Sequence, residues 1–268
     1  MPLYREYLTS DVAYAVSRGA MPTDLSAGFE QMRHNVLATE AGRHFVQSVR
    51  TRETQVYDSH PALADRVRAL EGIPDVEGRR DERPATTLFA DPGALDTWLV
   101  EATRDRLIAA AVADVRQVPV VRAMRWARIP AEVYAPAARE AARRAAERLH
   151  PLFPEATTVG AIFAATWQGL ETGRTVPIVL RLHPGLAHMP SHEAERAAMR
   201  LCHELLSTLL QGALLERGAM IEDRLGAPLA LRLGEERVVP AELMALLTTD
   251  GGAARAAFEY WARRVASA

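Results

Sequence analysis

Tyr57-Asp58-Ser59-His60-Pro61-Ala62-Leu63-Ala64-Asp65-Arg66-Val67-Arg68-Ala69-Leu70 begins with turn formers and ends as an amphipathic run. Ser59 or Asp58 can cap the free amides of a helix start, and Pro61 suits a first helical position, where its missing N–H costs nothing. Leu63, Val67 and Leu70 recur at helical spacing and predict a buried stripe. His60 stands just ahead of the first turn and Arg66 about one and a half turns later. At a rise of about 1.5 Å per residue, the two can face one cleft and hold a carbonyl or a developing oxyanion. The same residues also admit a plainer reading, in which His-Pro marks a helix boundary and Arg66 faces water.

The capped-helix pattern recurs along the chain. Leu3 to Arg18 reads as a helix, with Gly19 and Pro22 as its stop signals. A second helix starts at Asp24 or Ser26, and Thr39 caps a third that carries Phe45, Val46 and Val49. Asp91-Pro92 repeats the cap-then-proline signal ahead of Leu95, Trp98 and Leu99. The Ala-rich run 137–150 has strong helical propensity. Thr157 or Thr158 caps a helix through Ile162, Phe163 and Trp167, and Ser191 opens a long one that ends near Gly218. The stretch 175–182 is apolar and β-branched, and periodicity leaves strand and helix both open. Near the end, Met220-Ile221, Leu229 to Leu233 and Arg237 to Val239 read as three short strands with Gly-bearing turns. The expected fold is mainly α, with a small antiparallel β element near the C-terminus. Gly72 to Pro84 is charged and holds little to bury. The expected organisation is therefore a helical region at 1–72, a linker or loop at 73–84, and a helical accessory domain with the small sheet at 85–268.

The chain has 268 residues, 49% hydrophobic and 25% charged, which is ordinary for a globular protein with a real core. A net charge of −2 gives no general attraction to nucleic acid. One cysteine excludes an internal disulfide framework and is compatible with a reducing compartment. No apolar run reaches the length of a membrane span, and Arg5 and Glu6 interrupt the start before any signal-like core. The expected location is the cytoplasm, or the soluble part of a membrane-anchored protein.

His60-Pro61, four residues, then Arg66, with Leu70 closing the helix, resembles the C-terminal motif of zinc metallopeptidases that include HtpX and the CAAX prenyl protease (peptidase family M forty-eight). Leu3 to Phe29 resembles the segment before that motif in bacterial members. Trp126 with Val133-Tyr134-Ala135-Pro136-Ala137 resembles a later stretch of theirs, and the strand-strand-helix tail is similar too. The resemblance implies that His60 and Arg66 lie at an active-site rim and stabilise a tetrahedral intermediate. It also implies a zinc ion held by H-E-x-x-H and a later Glu, where two His one turn apart share a helix face.

This chain departs from that pattern at the metal. His192-Glu193 would need a histidine where Arg196 stands, and His203-Glu204 would need one where Ser207 stands. His192 and His203 share a helix face but lie about 16 Å apart along the axis, too far for one ion. His183, His188, His192 and Glu193 form a looser cluster without a recognised ligand spacing. The expectation is thus the C-terminal portion of a zinc-metallopeptidase-like protein, not catalytic alone. It carries His60 and Arg66, has no metal ligands or cofactor of its own, and takes zinc only from a supplied protease half. Its partner is a protein or peptide. The alternative is a non-enzymatic helical binding or scaffold protein of the same descent.

Other chemistries lack their residues. There is no G-x-S-x-G elbow, phosphate loop or dinucleotide fingerprint. Cys202 sits among Leu201, Leu205 and Leu206, and its neighbour His203 diverges by about 100° on a helix. The arginines at 139, 143, 144 and 148 could meet acidic lipid or a partner, but no bulky apolar face stands opposite to insert, and a solvated face accounts for them.

Overall fold

The structure, a computed structural model of the chain, describes residues 2–54, 60–71, 73, 83, 85–111, 120–222 and 225–266. It is mainly helical, with a small antiparallel three-stranded sheet near the C-terminus. Two compact units are present: residues 1–17, 21–118 and 225–227 form the first, and residues 18–20, 119–224 and 228–268 the second. Of the stretch 73–84, only Ile73 and Arg83 are among the described residues.

The first unit opens with α1 (Pro2–Tyr7), a π-helical turn over Leu8–Val12, and α2 (Ala13–Ser17). Tyr7, Val12, Ala15 and Val16 are fully buried because they share one side of this run. Leu25 and Met32 of α3 (Leu25–Ala38) are buried as well. Phe29 meets Tyr4 edge-on at 5.0 Å and Tyr7 at 5.8 Å, the geometry that ring quadrupoles favour. α4 (Glu40–Thr51) starts as expected, with Thr39 Oγ1 accepting from the Gly42 amide at 3.0 Å. α5 (Leu63–Glu71) and, after a 3₁₀ turn at Ala85–Leu88, α6 (Pro92–Ala111) complete the helices. Asp91 Oδ1 caps α6 by accepting from the Ala94 amide at 3.0 Å. α6 packs on α2 within this unit.

The loop 225–227 belongs to the same unit. Its Gly226 has φ +75°, and a Cβ there would come within 2.7 Å of Val36 and 2.8 Å of Met32, so only glycine fits. The Gly226 amide donates to Asp11 Oδ1 at 3.1 Å, and Asn35 Nδ2 donates to the Leu225 carbonyl at 3.2 Å.

The second unit has the larger core. A 3₁₀ turn at Trp126–Arg128 and a π turn at Pro130–Tyr134 lead into α7 (Ala135–Leu149). There follow α8 (Val159–Glu171), α9 (Thr175–Leu182) and α10 (Ser191–Glu216). The stretch left open between strand and helix is thus helical, with Ile178, Val179 and Leu182 buried. α10 is the central element, packed by α7 and α8. Its Leu206, Leu209, Leu210 and Leu214 are fully buried, as the leucine spacing in the sequence requires. The ends of α7 and α9 satisfy each other: Arg148 donates to the Leu182 carbonyl, and Arg181 Nε to the Arg148 carbonyl at 3.3 Å.

The sheet follows, as β1 (Met220–Glu222), β2 (Ala230–Leu233) and β3 (Glu236–Val238). Both pairings are antiparallel, with Ile221 opposite Leu231 and Leu231 opposite Val238. Leu231 and Val238 face the core, while Glu222 on the other side binds Arg232 and Arg237. α11 (Pro240–Thr249) and α12 (Gly251–Ala266) close the unit. Phe258 of α12 stacks on Trp167 of α8, with centroids 4.4 Å apart and planes at 13°. Among the described residues, no helix is long and apolar enough to cross a membrane.

Candidate functional site

The residues singled out by the sequence lie at the start of α5. Tyr57, Asp58 and Ser59 lie outside the described residues, so the capping expected from Ser59 or Asp58 does too. Pro61 is not the first helical residue. The helix begins two positions later at Leu63, and its first backbone bond runs from the Arg66 amide to the Ala62 carbonyl at 3.1 Å. Ala62 therefore occupies the N-cap position, although its methyl group cannot accept a hydrogen bond.

Thr54 supplies the missing acceptor from well upstream. Its Oγ1 accepts from the Ala62 amide at 2.7 Å and donates to Asp65 Oδ2. The Thr54 amide donates to the same carboxylate oxygen at 3.2 Å. In an ordinary capping box, the side chain at the third helical position takes the N-cap amide directly. Here the Thr54 hydroxyl is inserted between them. The Thr54 hydroxyl and amide, with Arg68 at 2.9 Å, hold the Asp65 carboxyl below the usual aspartate range. Nothing in the local spacing signals this arrangement, because the partners are eight and eleven residues apart.

The apolar stripe of α5 departs from the expectation. No residue of the helix is buried. Leu63 is 41% exposed, Val67 45% and Leu70 64%. The spacing gave the helix its amphipathic character, but burial depends on a neighbour, and α4 covers only part of the face. His60 and Arg66 are both exposed, six positions apart on either side of the anchored Ala62. Among the described residues neither side chain makes a hydrogen bond or ion pair. Ile73, Leu88, Phe89, Leu95 and Trp98 add further exposed apolar side chains in the same unit.

The histidines of the second unit do not gather. His183 follows α9, His188 ends a 3₁₀ turn, and His192 lies in the first turn of α10. His192 Nε2 is 3.9 Å from Glu193 Oε1, a contact between neighbours on an exposed turn. Among the described residues, no three His, Cys, Asp or Glu side chains stand close enough to hold a metal ion. Cys202 is buried, and burial pushes its thiol up to about 12, so it is protonated and unreactive as a nucleophile. Burial also lowers the affinity of the His203 imidazole for a proton.

The arginine row of α7 is spent on internal bonds. Arg139 donates to the Leu215 carbonyl at 3.2 Å, Arg143 pairs with Glu140 and Glu147, Arg144 with Glu140, and Arg148 with Leu182. Between the end of α7, the first turn of α8 and the end of α10 lies an open pocket of about 580 Å³. Its lining includes Ala146, Ala156, Val159 and Ile162, together with His150 and Glu216. Burial raises the Glu216 carboxyl above its ordinary value, and Arg139 pulls it partly back. Sequence reasoning missed this pocket because its walls come from three helices. No protein-family model, curated protein or solved structure matches the chain.

Proposed function

We propose that the chain is the partner-dependent portion of a zinc-metallopeptidase-like assembly, contributing His60 and Arg66 to the rim of a site completed by another polypeptide segment. One observation carries this reading. The helix bearing Arg66, with His60 just ahead of it, keeps its apolar stripe in water. Covering the exposed part of Leu63, Val67 and Leu70 would contribute about 1 kcal/mol each, which favours a partner on this face. The family-like His-Pro-x4-Arg spacing supports the identity of that partner as a segment bearing H-E-x-x-H. In this reading the metal ligands come with that segment, as the departure of His192-Glu193 and His203-Glu204 from the H-E-x-x-H spacing suggests.

Within that assembly, His60 and Arg66 donate hydrogen bonds to the carbonyl oxygen of a bound peptide as negative charge develops on it. Arg66 lies in the first turns of the regular helix α5, and His60 two positions before its N-cap. Donors of this kind are worth about 10²–10³ in rate when removed singly.

The test is peptide hydrolysis and zinc content, measured on the chain alone and on the chain mixed with an H-E-x-x-H-bearing half of such a peptidase. The expected result is no hydrolysis by the chain alone. Hydrolysis by the mixture should then fall about 10²-fold or more with His60→Ala or Arg66→Ala. Stoichiometric tight zinc on the chain alone refutes the reading.

A second reading is a non-enzymatic helical binding protein, in which His60 and Arg66 are relics. The pocket of the second unit favours it, because its lining offers a small ligand apolar side chains together with an imidazole and a carboxyl. Hydrolysis by the mixture that is untouched by His60→Ala supports this reading over the first.

A further inference from the structure

We infer that the pocket of the second unit binds a primary ammonium carried on an apolar body, with Glu216 as the carboxylate that pairs with the cation. The inference rests on the second reading above, in which this pocket takes a small ligand.

All of the lining belongs to one unit. It comes from the end of α7, the segment that leads into α8 with the first turn of that helix, and the last residue of α10. Ala146, Ala156, Val159 and Ile162 are buried, yet each borders the open space of about 580 Å³. That volume lies in the range of small-molecule sites, and apolar side chains of this kind receive the hydrocarbon part of a ligand.

The polar groups of the lining select the charge. Arg143 is already engaged: its Nε and Nη2 donate to Glu140 Oε2 at 3.1 and 2.5 Å, and its Nη1 donates to Glu147 Oε1 at 3.3 Å. The start of α8 would otherwise attract an anion, but two of its leading amides are taken. The Ala161 amide donates to Thr158 Oγ1 at 3.1 Å, and the Ile162 amide to the Thr158 carbonyl at 3.0 Å. By contrast, the Glu216 carboxyl, the His150 imidazole and the Thr157 hydroxyl make no hydrogen bond or ion pair among the described residues.

Those three free groups share one capacity. A carboxylate only accepts hydrogen bonds, and a neutral imidazole and a hydroxyl each accept as well. An ammonium brings three donors and no acceptor, so it complements them. Among Arg143, Glu147 and Glu216, the lining carries one negative charge in excess. Arg139 acts on Glu216, but its Nη2 donates to the Leu215 carbonyl at 3.2 Å. Burial raises the Glu216 carboxyl above its ordinary value. A carboxylate that has lost water without a bonded partner is stabilised by a cation placed beside it.

The experiment uses the full chain and three probes that share one ring: 2-phenylethylammonium, 2-phenylethanol and 3-phenylpropionate. Binding is followed at neutral pH through the amide chemical shifts of Thr157, Thr158 and Val159. The ammonium is expected to saturate with a Kd of about 1 mM, in keeping with so small a ligand. The alcohol and the carboxylate should bind about tenfold more weakly. Glu216→Gln keeps the length of the side chain and removes its charge. It should weaken the ammonium about tenfold and leave the alcohol unchanged. Glu235→Gln removes an exposed carboxylate from the turn between β2 and β3 and controls for overall charge. Circular dichroism checks that each variant is folded.

The outcomes separate the ligand class from the reading beneath it. Shifts at the three amides with equal affinity for the alcohol or the carboxylate overturn the ammonium assignment and leave the second reading standing. An ammonium affinity untouched by Glu216→Gln, or lowered as much by Glu235→Gln, does the same. No shift at those amides with any of the three probes overturns both.

Discussion

Replacing Gly212 by alanine tests the packing of the second unit against the usual rule for helices. Alanine favours a helix over glycine by about 1 kcal/mol, so on propensity alone the variant should be more stable. The structure argues the reverse. A Cβ at 212 would lie 2.0 Å from the Ala142 Cβ and 3.5 Å from Val159 Cγ1. Ordinary carbon–carbon contact is about 3.5–4 Å, so α7 and α10 would have to part by well over 1 Å along their main line of contact. Neither Cβ can rotate away, because each is fixed to its helix backbone. Overpacking of this kind costs about 1–3 kcal/mol, and the rigidity of both partners puts it at the upper end. The net expectation is a loss of about 1–2 kcal/mol, or a fall of roughly 2–8 °C in Tm. The assay is urea and thermal unfolding followed by circular dichroism. Adding Ala142→Gly should recover most of the loss, because it removes the opposing Cβ. A Gly212→Ala variant as stable as the parent would refute the close crossing of α7 and α10 and, with it, the account of the core.

Further expectations follow from single residues. Thr158→Ala removes the hydroxyl that accepts from the Ala161 amide at 3.1 Å, and should cost about 1 kcal/mol by urea unfolding. Cys202, with its thiol pushed up to about 12, should stay unmodified by maleimide at mildly alkaline pH and react fully once the chain is unfolded. Asp11 is held above the ordinary aspartate range, first by burial and less by the nearby Glu6, against the lowering effect of its hydrogen bonds. The folded chain therefore keeps that proton more tightly than the unfolded one, and this residue's contribution to stability declines as pH rises above the usual aspartate value. Asp11→Asn should flatten that decline and raise the urea midpoint at neutral pH. No pH dependence of the difference between parent and variant would contradict it.

Helix starts were legible wherever the cap lies within three residues of the amide it serves. Thr39, Asp91 and Thr158 all accept from the amide three positions on. The leucine row of α10 was legible for a related reason, since its period matches the helix and its burial needs no further condition. The segment 175–182 was not decidable, because a short apolar run satisfies a strand and a buried helix equally. The stripe of α5 was seen in the sequence and its burial was misjudged. Periodicity tells which side of a helix is apolar, and only the fold tells whether anything covers it. The link from Thr54 to Ala62 left no trace in spacing, because seven intervening residues can take many paths. The rim roles proposed for His60 and Arg66 rest on a resemblance to a family; the residues alone allow a boundary signal and a solvated arginine.

The placement of the four indoles gives this chain a built-in pair of optical reporters. Trp98, 62% exposed, belongs to the first unit, whereas Trp126, Trp167 and Trp261 are buried in the second. In the parent chain, emission is therefore a sum in which the second unit supplies the blue-shifted component and the first supplies a water-quenchable one. A Trp98→Phe chain would glow only from the second unit, and iodide quenching of the parent would follow only the first. Melting of one unit before the other would then appear as two separate spectral changes in a single cuvette, and occupation of the surface around Trp98 would show as loss of quenching alone.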